Sequence, residues 1–273
     1  MLIVNLTTTR QRFYLLRYTL LSLVEQNLRA DQIVIWVSEE PYLRDKGMAG
    51  FDYASRLEEW IPDYKKEGVE IRRTKNTGPY RKLIPALRDA KDGDLLVTAD
   101  DDIIYHRDWL SRLMKEFYTA GGDKVVASRV RKIRRNVLGI IQSYVCWRVV
   151  TERSFLREDY VITFGAGAVL KKSFFRPQDI ENNDFATISP TADDLWYTKL
   201  LNNNGVGVVC APSIIKCLHF INHADGLDKN NLPALNGFWV KVIFPLLARL
   251  GFKTCKNDYF YRSIRSYFKE VQR

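Results

Sequence analysis

The first hundred residues alternate short apolar runs with helix-like segments, and no other feature of the sequence limits the possible folds as strongly. The apolar runs lie at positions 2–6, 32–37, 69–72 and 94–99. The segments between them, at 11–28, 53–66 and 79–90, are suited to helices. Short strands that alternate with helices predict a parallel sheet covered by helices on both faces.

After position 99 the alternation is less regular. We predict helices at 109–120 and 191–203, and strands at 124–130, 143–150 and 160–170, the last with a Gly-Ala-Gly break at 165–167. Amphipathic segments are predicted at 238–250 and 259–271. A chain of 273 residues that is 46% hydrophobic can bury one sizeable core. The prediction is a single α/β domain with a mostly parallel sheet, a mixed second half and C-terminal amphipathic helices.

The chain is basic, with 42 lysines and arginines against 32 acidic residues and a net charge of +10. Charge alone leaves nucleic acid, anionic lipid and a phosphorylated small molecule open as partners. The four cysteines form no CxxC pair, which is typical of reduced thiols in the cytosol. The sequence shows neither a secretory signal nor a membrane-spanning segment, so we expect the protein to stay on the cytoplasmic side.

Three adjacent carboxylates, Asp100, Asp101 and Asp102, follow the fourth predicted strand. Ligands bind beyond the carboxyl ends of the strands in open α/β sheets. Adjacent carboxylates repel one another unless a cation neutralises them, and Mg²⁺ commonly uses one or two carboxylates together with substrate phosphates. This acidic triplet therefore predicts a metal site that holds a diphosphate. The alternative is a solvated turn that caps the next helix.

A second acidic pair, Asp193 and Asp194, opens the helix predicted at 191–203. The segment from Thr191 to Asp194 fits a capping box, in which an acid stabilises the first turn by ~0.3–1 kcal/mol. The same position would also hold a carboxylate rigidly at the edge of a pocket. Spacing alone leaves the structural and the catalytic interpretation open.

Polar and basic side chains lie at two further strand ends. They are Thr7, Thr8 and Arg10 after the first strand, and Asn76, Gly78, Arg81 and Lys82 after the third. Helix N-termini and basic side chains suit phosphate, although an ordinary turn or loop explains both segments equally well. The three histidines have no zinc spacing, but His219 or His223 would be able to complete a metal shell.

Taken in order, these segments resemble a glycosyltransferase of the GT-A fold, closest to the family 2 type that builds bacterial surface polysaccharides. The resemblance runs from the N-terminus to about residue 205 and rests on VNLTTTR, SLVEQNLRADQIVIWVS, NTGPYRKLIPAL, LLVTADDDIIYHRDWL, GAGAVL and ADDLW. The ordered set is more specific than any one motif. Similar acidic patterns occur in exostosin-like transferases, which retain the anomeric configuration.

The resemblance implies a nucleotide-diphospho-sugar donor and a Mn²⁺ or Mg²⁺ ion. Asp102 would bind the metal, with His219 or His223 as a further ligand. Asp194 would lie next to the acceptor hydroxyl, with Asp193 beside it as a second catalytic candidate. The implied donor-binding residues are Thr7, Thr8, Arg10, Asn76, Lys82, Asp100 and Asp101. Residues Gly165, Ala166 and Gly167 are expected to line the acceptor side.

We expect the catalytic domain to cover residues 1–205, with a donor-nucleotide half at 1–105 and an acceptor half at 106–205. Residues 206–273 match no motif of the family and are expected to pack on the same domain as strands and amphipathic helices. The function that the resemblance implies is metal-dependent hexosyl transfer to a saccharide or lipid-linked acceptor. Such a reaction would serve a surface polysaccharide such as lipopolysaccharide or capsule.

Two other functions stay open from the residues alone. A non-catalytic nucleic-acid-binding protein would use the basic run RVRKIRR at 129–135, although the resemblance implies no nucleic-acid partner. A nucleotidyltransferase would also use strand-end acids and a metal, but would release pyrophosphate. The basic, aromatic-rich segments after residue 238 suit an anionic membrane surface, so we expect peripheral contact with the inner face of the membrane. The alternative is a C-terminal helix that packs on the core and keeps a solvated basic face.

Overall fold

The first half of the chain alternates strands and helices, as its sequence predicts. In a computed structural model that describes residues 1–223 and 238–271, this half contains β1 (Leu2–Thr7), α1 (Phe13–Val24), β2 (Gln32–Val37), α2 (Tyr53–Trp60), β3 (Val69–Arg73), α3 (Ile84–Asp89), β4 (Leu95–Thr98), β5 (Ile103–Tyr105) and α4 (Trp109–Thr119). The helix predicted at 79–90 is divided into a 3-10 turn, Gly78–Lys82, and α3. Leu83 leaves helical geometry between the two, directly before the first turn of α3, which contains Pro85.

The second half consists of shorter elements. They are β6 (Val125–Ala127), β7 (Val130–Lys132), β8 (Arg148–Val149), β9 (Ser154–Leu156), β10 (Tyr160–Ile162), β11 (Ala168–Leu170), α5 (Pro177–Glu181), α6 (Phe185–Ile188), α7 (Asp193–Asn203), β12 (Val208–Cys210), β13 (Leu218–Phe220), α8 (Phe238–Leu250) and α9 (Lys256–Val271). The single strand predicted at 124–130 is wrong, because that run is divided between β6 and β7, which belong to different sheets. The run at 160–170 is interrupted near its predicted break at 165–167, where the 3-10 turn Phe164–Ala166 separates β10 from β11. The strand predicted at 143–150 is a 3-10 turn, Tyr144–Cys146, followed by β8.

The main sheet has eight strands in the order β3-β2-β1-β4-β11-β6-β12-β9. Strands β1 to β4 run parallel to one another, whereas β11 lies between β4 and β6 and is antiparallel to both. Two smaller sheets, β10-β7-β8 and β13-β5, lie beside it. The α/β class with a mixed, mostly parallel sheet is therefore confirmed.

Strand β1 positions the site. It lies between β2 and β4, so the order of the sheet reverses there and the loops after β1 and β4 leave it side by side. Such a reversal is where open α/β sheets bind ligands. Residues 3–6 of β1 are all buried, as expected for a strand covered on both faces, and this explains its continuous apolar run.

The last helix packs on the rest of the chain through aromatic side chains. The Trp196 ring of α7 lies 5.6 Å from Tyr267 and 5.1 Å from Phe268, measured between ring centroids. The Tyr267 hydroxyl also donates to Asp184 at 2.6 Å. Within the described residues, no helix is both long and apolar enough to cross a membrane.

Candidate active site

The two acidic groups identified in the sequence meet at one end of the main sheet. Asp100 follows β4, and Asp193 is the first residue of α7. The Lys82 ammonium joins them, since its Nζ lies 2.9 Å from Asp100 Oδ1 and 3.5 Å from Asp193 Oδ2. Segments that are distant in sequence therefore form one charged cluster.

Lys82 is buried at the end of the 3-10 turn Gly78–Lys82. Burial favours its neutral amine, but the charges of Asp100, Asp193 and Asp194 outweigh this effect and raise the pKa of Lys82. In return, the Lys82 charge overcomes the desolvation of Asp100 and lowers the pKa of that carboxyl. Both groups are therefore charged at neutral pH.

Arg12 neutralises the other end of the triplet. Its guanidinium donates to Asp101 and lies 2.8 Å from Asp102 Oδ2. Burial still raises the pKa of Asp101 to about 6, although the Arg12 charge opposes this rise. Our choice of Arg10 from this segment missed Arg12: the Arg10 guanidinium lies over the Phe51 ring, 5.5 Å from its centroid. The available signal was a second basic residue between β1 and α1, at the sheet's reversal point.

Asp102 has a histidine nitrogen beside it. His223 Nε2 lies 2.8 Å from Asp102 Oδ2, whereas the other candidate, His219, is exposed on β13. Within the described ranges, no three His, Cys, Asp or Glu side chains form a ready metal-binding group. One carboxylate and one imidazole nevertheless fit Mn²⁺ or Mg²⁺, because such ions in phosphate-binding sites take their remaining ligands from phosphates and water.

Asp194 is held by the backbone of a neighbouring turn. The Phe164 N–H donates to Asp194 Oδ1 at 3.1 Å. Burial and the Asp193 charge raise the pKa of Asp194 to about 7, near the value suited to a general base at neutral pH. The capping-box interpretation is wrong, because the N-cap residue of α7 is Ala192 and no side chain caps this end.

The Phe164–Ala166 turn and Gly167 lie directly beneath these carboxylates. A Cβ atom on Gly165 would lie 1.7 Å from Asp100 Oδ2, and one on Gly167 would lie 2.8 Å from the Trp109 ring. The Tyr105 hydroxyl donates to the Gly165 carbonyl at 3.2 Å and accepts from the Asp100 N–H at 2.9 Å. Residues 165–167 are buried, and the turn that contains them packs against Asp100 and donates to Asp194. Their place on the acceptor side stays a prediction.

Gly165→Ala is expected to destabilise the chain by ~1–3 kcal/mol, the usual cost of overpacking a filled site, because its methyl group would overlap the Asp100 carboxylate. Chemical denaturation measures this loss. Asp100→Ala removes the overlapping atoms, so the double variant should be less destabilised than the sum of the single variants. If the losses in the free energy of unfolding of the two single variants simply add in the double variant, the Gly165 methyl group does not overlap the Asp100 carboxylate.

The remaining predicted donor-binding residues form a hydrogen-bonded wall. Thr7 donates to the Trp36 carbonyl at 2.9 Å and accepts from Arg81 at 3.0 Å. Arg81 also forms a buried ion pair with Asp45 at 2.7 Å, and the Asn76 amide donates to the same carboxylate at 3.0 Å. Thr8 is buried beside them. Asp45 was missed because it lies in a loop without a motif.

The basic run at 129–135 is occupied by interactions within the chain. Arg131 lies over the Tyr144 ring, 5.2 Å from its centroid, and donates to the Trp147 carbonyl at 3.0 Å. Arg135 pairs with Asp159 at 2.9 Å. The proposed nucleic-acid-binding run is therefore partly engaged in fixing β7 and its neighbours.

Part of the chain matches a known protein family. Residues 52–175 match the protein family described as glycosyl transferase family 2. This segment includes the triplet and the 164–167 turn, but ends before Asp193 and Asp194. No curated protein sequence matches the chain.

One solved structure shares the fold at low sequence identity, and two others give weaker matches. GalNAc-T7 with UDP, GalNAc and Mn²⁺ has a TM-score of 0.54 and 13% identity, and the match covers 90% of this chain and 48% of that one. The mannosyltransferase PcManGT from Pyrobaculum calidifontis, solved with GDP-Man and Mn²⁺, has a TM-score of 0.47 and 18% identity over 78% of this chain and 55% of that one. A 4-diphosphocytidyl-2C-methyl-D-erythritol synthase has a TM-score of 0.45 and 12% identity, and the match covers 90% of this chain and 98% of that one. The chain thus spans about half the length of the two transferases.

Proposed function

We propose that the chain is a glycosyltransferase that moves a sugar from a nucleotide-diphospho-sugar to an acceptor hydroxyl; the match of residues 52–175 to glycosyl transferase family 2 and the GT-A-like fold support this. The observation that carries this proposal is the meeting of two acidic clusters, where Lys82 joins Asp100 to Asp193. One cluster suits a metal-bound diphosphate, and the other suits deprotonation of a hydroxyl. A metal-dependent transfer that inverts the anomeric configuration uses both tasks at one place.

The donor diphosphate is assigned to the triplet. Five carboxylates gather here, at positions 100–102, 193 and 194, and among residues 1–223 and 238–271 the lysine and arginine side chains that pair with them are Lys82 and Arg12. The excess negative charge favours a divalent ion, and Asp102 with His223 would hold Mn²⁺ or Mg²⁺. When bound, the ion supplies Lewis-acid stabilisation of charge on the leaving nucleoside diphosphate.

Lys82 is the phosphate-binding cation of this proposal. Its raised pKa keeps it charged in a buried position, where an ammonium group interacts strongly with anions. We assign the nucleoside to the wall formed by Thr7, Thr8 and Asn76, with Asp100 and Asp101 at its inner end. Arg10 follows Thr7 and Thr8 in the loop after β1 and is stacked over the Phe51 ring.

Asp194 is assigned as the general base. Its carboxylate takes the proton of the acceptor hydroxyl while the acceptor oxygen forms a bond to the anomeric carbon. The bond between that carbon and the phosphate oxygen breaks, and its electron pair leaves with the nucleoside diphosphate. The Phe164 N–H fixes Asp194 Oδ1, which orients the carboxylate for this step.

The donor sugar, the acceptor and the pathway are proposed from the resemblance to family 2 enzymes that build surface polysaccharides. We propose a hexosyl donor and a saccharide or lipid-linked acceptor, in the synthesis of lipopolysaccharide or capsule. The reaction is placed on the cytoplasmic side, with the enzyme peripheral to the inner face of the membrane. No nucleic-acid partner is proposed, since two arginines of the basic run, Arg131 and Arg135, are engaged within the chain.

Thermal unfolding with a panel of nucleotide sugars tests this function. In the presence of Mn²⁺, the true donor at 100 times its Kd should add ~2.7 kcal/mol to the free energy of unfolding. For a chain of this size that corresponds to about 5–10 °C in Tm. The shift should vanish when a chelator replaces Mn²⁺. Stabilisation by nucleoside triphosphates but by no nucleotide sugar would instead indicate a nucleotidyltransferase.

A further inference from the structure

A tight turn far in sequence from the acidic site presents two aliphatic side chains to solvent. Val137 is fully exposed and Leu138 is 78% exposed. The turn is nevertheless well fixed. Asn136 Oδ1 accepts the N–H groups of Leu138 and Ile140, each at 3.0 Å, and the Asn136 N–H donates to the Ile140 carbonyl at 2.8 Å. The aliphatic groups are therefore presented outward by a defined backbone.

The turn is continuous with an exposed side of α8. A Cβ atom on Gly251, just after α8, would lie 2.6 Å from Ile140 Cγ2, and the Ser143 N–H donates to the Ala248 carbonyl at 2.9 Å. The exposed apolar side chains of both segments form what we call the apolar face: Val137, Leu138, Ile140, Ile243, Leu246, Leu250 and Phe252. Positions 243, 246 and 250 have the spacing of one helix face.

Basic side chains border this apolar face. Arg249 and Lys253 are exposed at the end of α8 and just beyond it. A cavity of about 360 Å³ lies beside the turn and is lined by Arg135, Arg262 and Arg265, together with Tyr261 and residues 139–141. Arg135 is paired with Asp159 and Arg262 donates to the Gly251 carbonyl, but each guanidinium carries further N–H donors, and three such groups around one cavity suit a phosphate group.

We propose that the apolar face docks on an anionic membrane, with the 136–140 turn inserted at the level of the upper acyl chains. Aliphatic groups on a rigid turn, bordered by guanidinium groups, match a surface that is anionic outside and apolar beneath. The arginine-lined cavity takes a lipid phosphate. The sequence predicted membrane contact from the segments after residue 238 only. The structure adds the exposed 136–140 turn beside them. The docking does not depend on the transferase reaction.

Vesicle flotation with the full chain tests the proposal. Binding is expected to phosphatidylcholine vesicles that contain phosphatidylglycerol, and much less to phosphatidylcholine alone. The double variant Val137→Ser/Leu138→Ser should bind at least about tenfold more weakly, because two aliphatic groups no longer enter the bilayer. Arg249→Gln should weaken binding about fivefold at low salt, the effect of one basic residue at an anionic surface.

Matched controls separate docking from folding. Tyr118 is exposed on α4, so Tyr118→Ser should leave flotation unchanged. The turn variant should keep its melting temperature, since its altered side chains contact solvent. Absence of binding to the anionic vesicles, or equal binding by the turn variant, would overturn the proposal. It would also be overturned if the parent formed a dimer in solution that the turn variant abolished while no vesicle bound, because the face would then be a protein interface.

Discussion

Replacing Asp194 by Asn is expected to lower kcat by ~10²–10⁴-fold, the usual contribution of a general base. Asn keeps the size of the side chain and an oxygen that accepts from the Phe164 N–H, so the site should stay in place. Donor affinity should change little, because the triplet and Lys82 are untouched. Steady-state kinetics together with donor calorimetry measure both effects.

The pH profile gives the same residue an independent signature. A base whose pKa is raised to about 7 must lose its proton to act, so kcat/KM of the parent should rise with pH and level off above neutrality. The residual activity of Asp194→Asn should lack this rise. A parent profile that is flat between pH 5 and 8 would contradict the assignment.

Stability should respond in the opposite direction. An unfolded aspartate has a pKa of about 4, so between about pH 4 and 7 the folded state retains an Asp194 proton that the unfolded state has released. The free energy of unfolding therefore falls as pH rises through this window. Asp194→Asn should reduce the slope, which denaturation at pH 5 and pH 8 measures.

Asp193→Asn is the matched control. Neighbouring helical residues point ~100° apart, so Asp193 and Asp194 do not face one hydroxyl together. Asp193 is buried against Lys82, so Asp193→Asn should lower the melting temperature, whereas kcat should fall much less than in Asp194→Asn. If Asp193→Asn is inactive while Asp194→Asn remains active, the base is Asp193.

Asp102→Asn is expected to abolish turnover together with metal-dependent donor binding. An amide is a far weaker ligand for Mn²⁺ or Mg²⁺ than a carboxylate, but it has nearly the same size and leaves the Arg12–Asp101 ion pair intact, so the fold should persist. Calorimetric titration with Mn²⁺ and the donor measures the loss. If this variant bound Mn²⁺ and the donor like the parent, the triplet would be a structural turn and not a metal site.

The two histidine candidates can be separated in the same titration. His223→Ala should weaken Mn²⁺ binding, because His223 Nε2 lies beside Asp102. His219→Ala should leave it unchanged, because His219 is exposed on β13. The reverse result would assign the ligand to His219.

The sequence allowed the prediction of those parts of the site that follow directly from a strand or begin a helix. Asp100 to Asp102 stand after an apolar run, and Asp193 and Asp194 open a helix, so their places at the sheet edge follow from the βα pattern. Arg12 was missed because nothing in the sequence shows which of two nearby arginines turns towards the triplet. That choice depends on where α1 begins.

The second half was harder to predict because its strands are short. β12 and β13 have three residues each, too few for a period of two to be recognised. The glycines at 165 and 167 predict the break in the run at 160–170, but the sequence does not show that β10 and β11 on either side of it belong to different sheets. The close fit of Gly165 against Asp100 likewise exists only in three dimensions.

Identification of the released nucleotide tests the central claim most directly. The chain is incubated with Mn²⁺ and the nucleotide sugar that stabilises it, and the products are separated by anion-exchange chromatography. Water acts as a poor acceptor, so nucleoside diphosphate and free sugar should form slowly even without the true acceptor. Neither should form with Asp102→Asn or with a chelator. No nucleoside diphosphate from any donor, or pyrophosphate released from a nucleoside triphosphate and a sugar phosphate, would contradict glycosyl transfer.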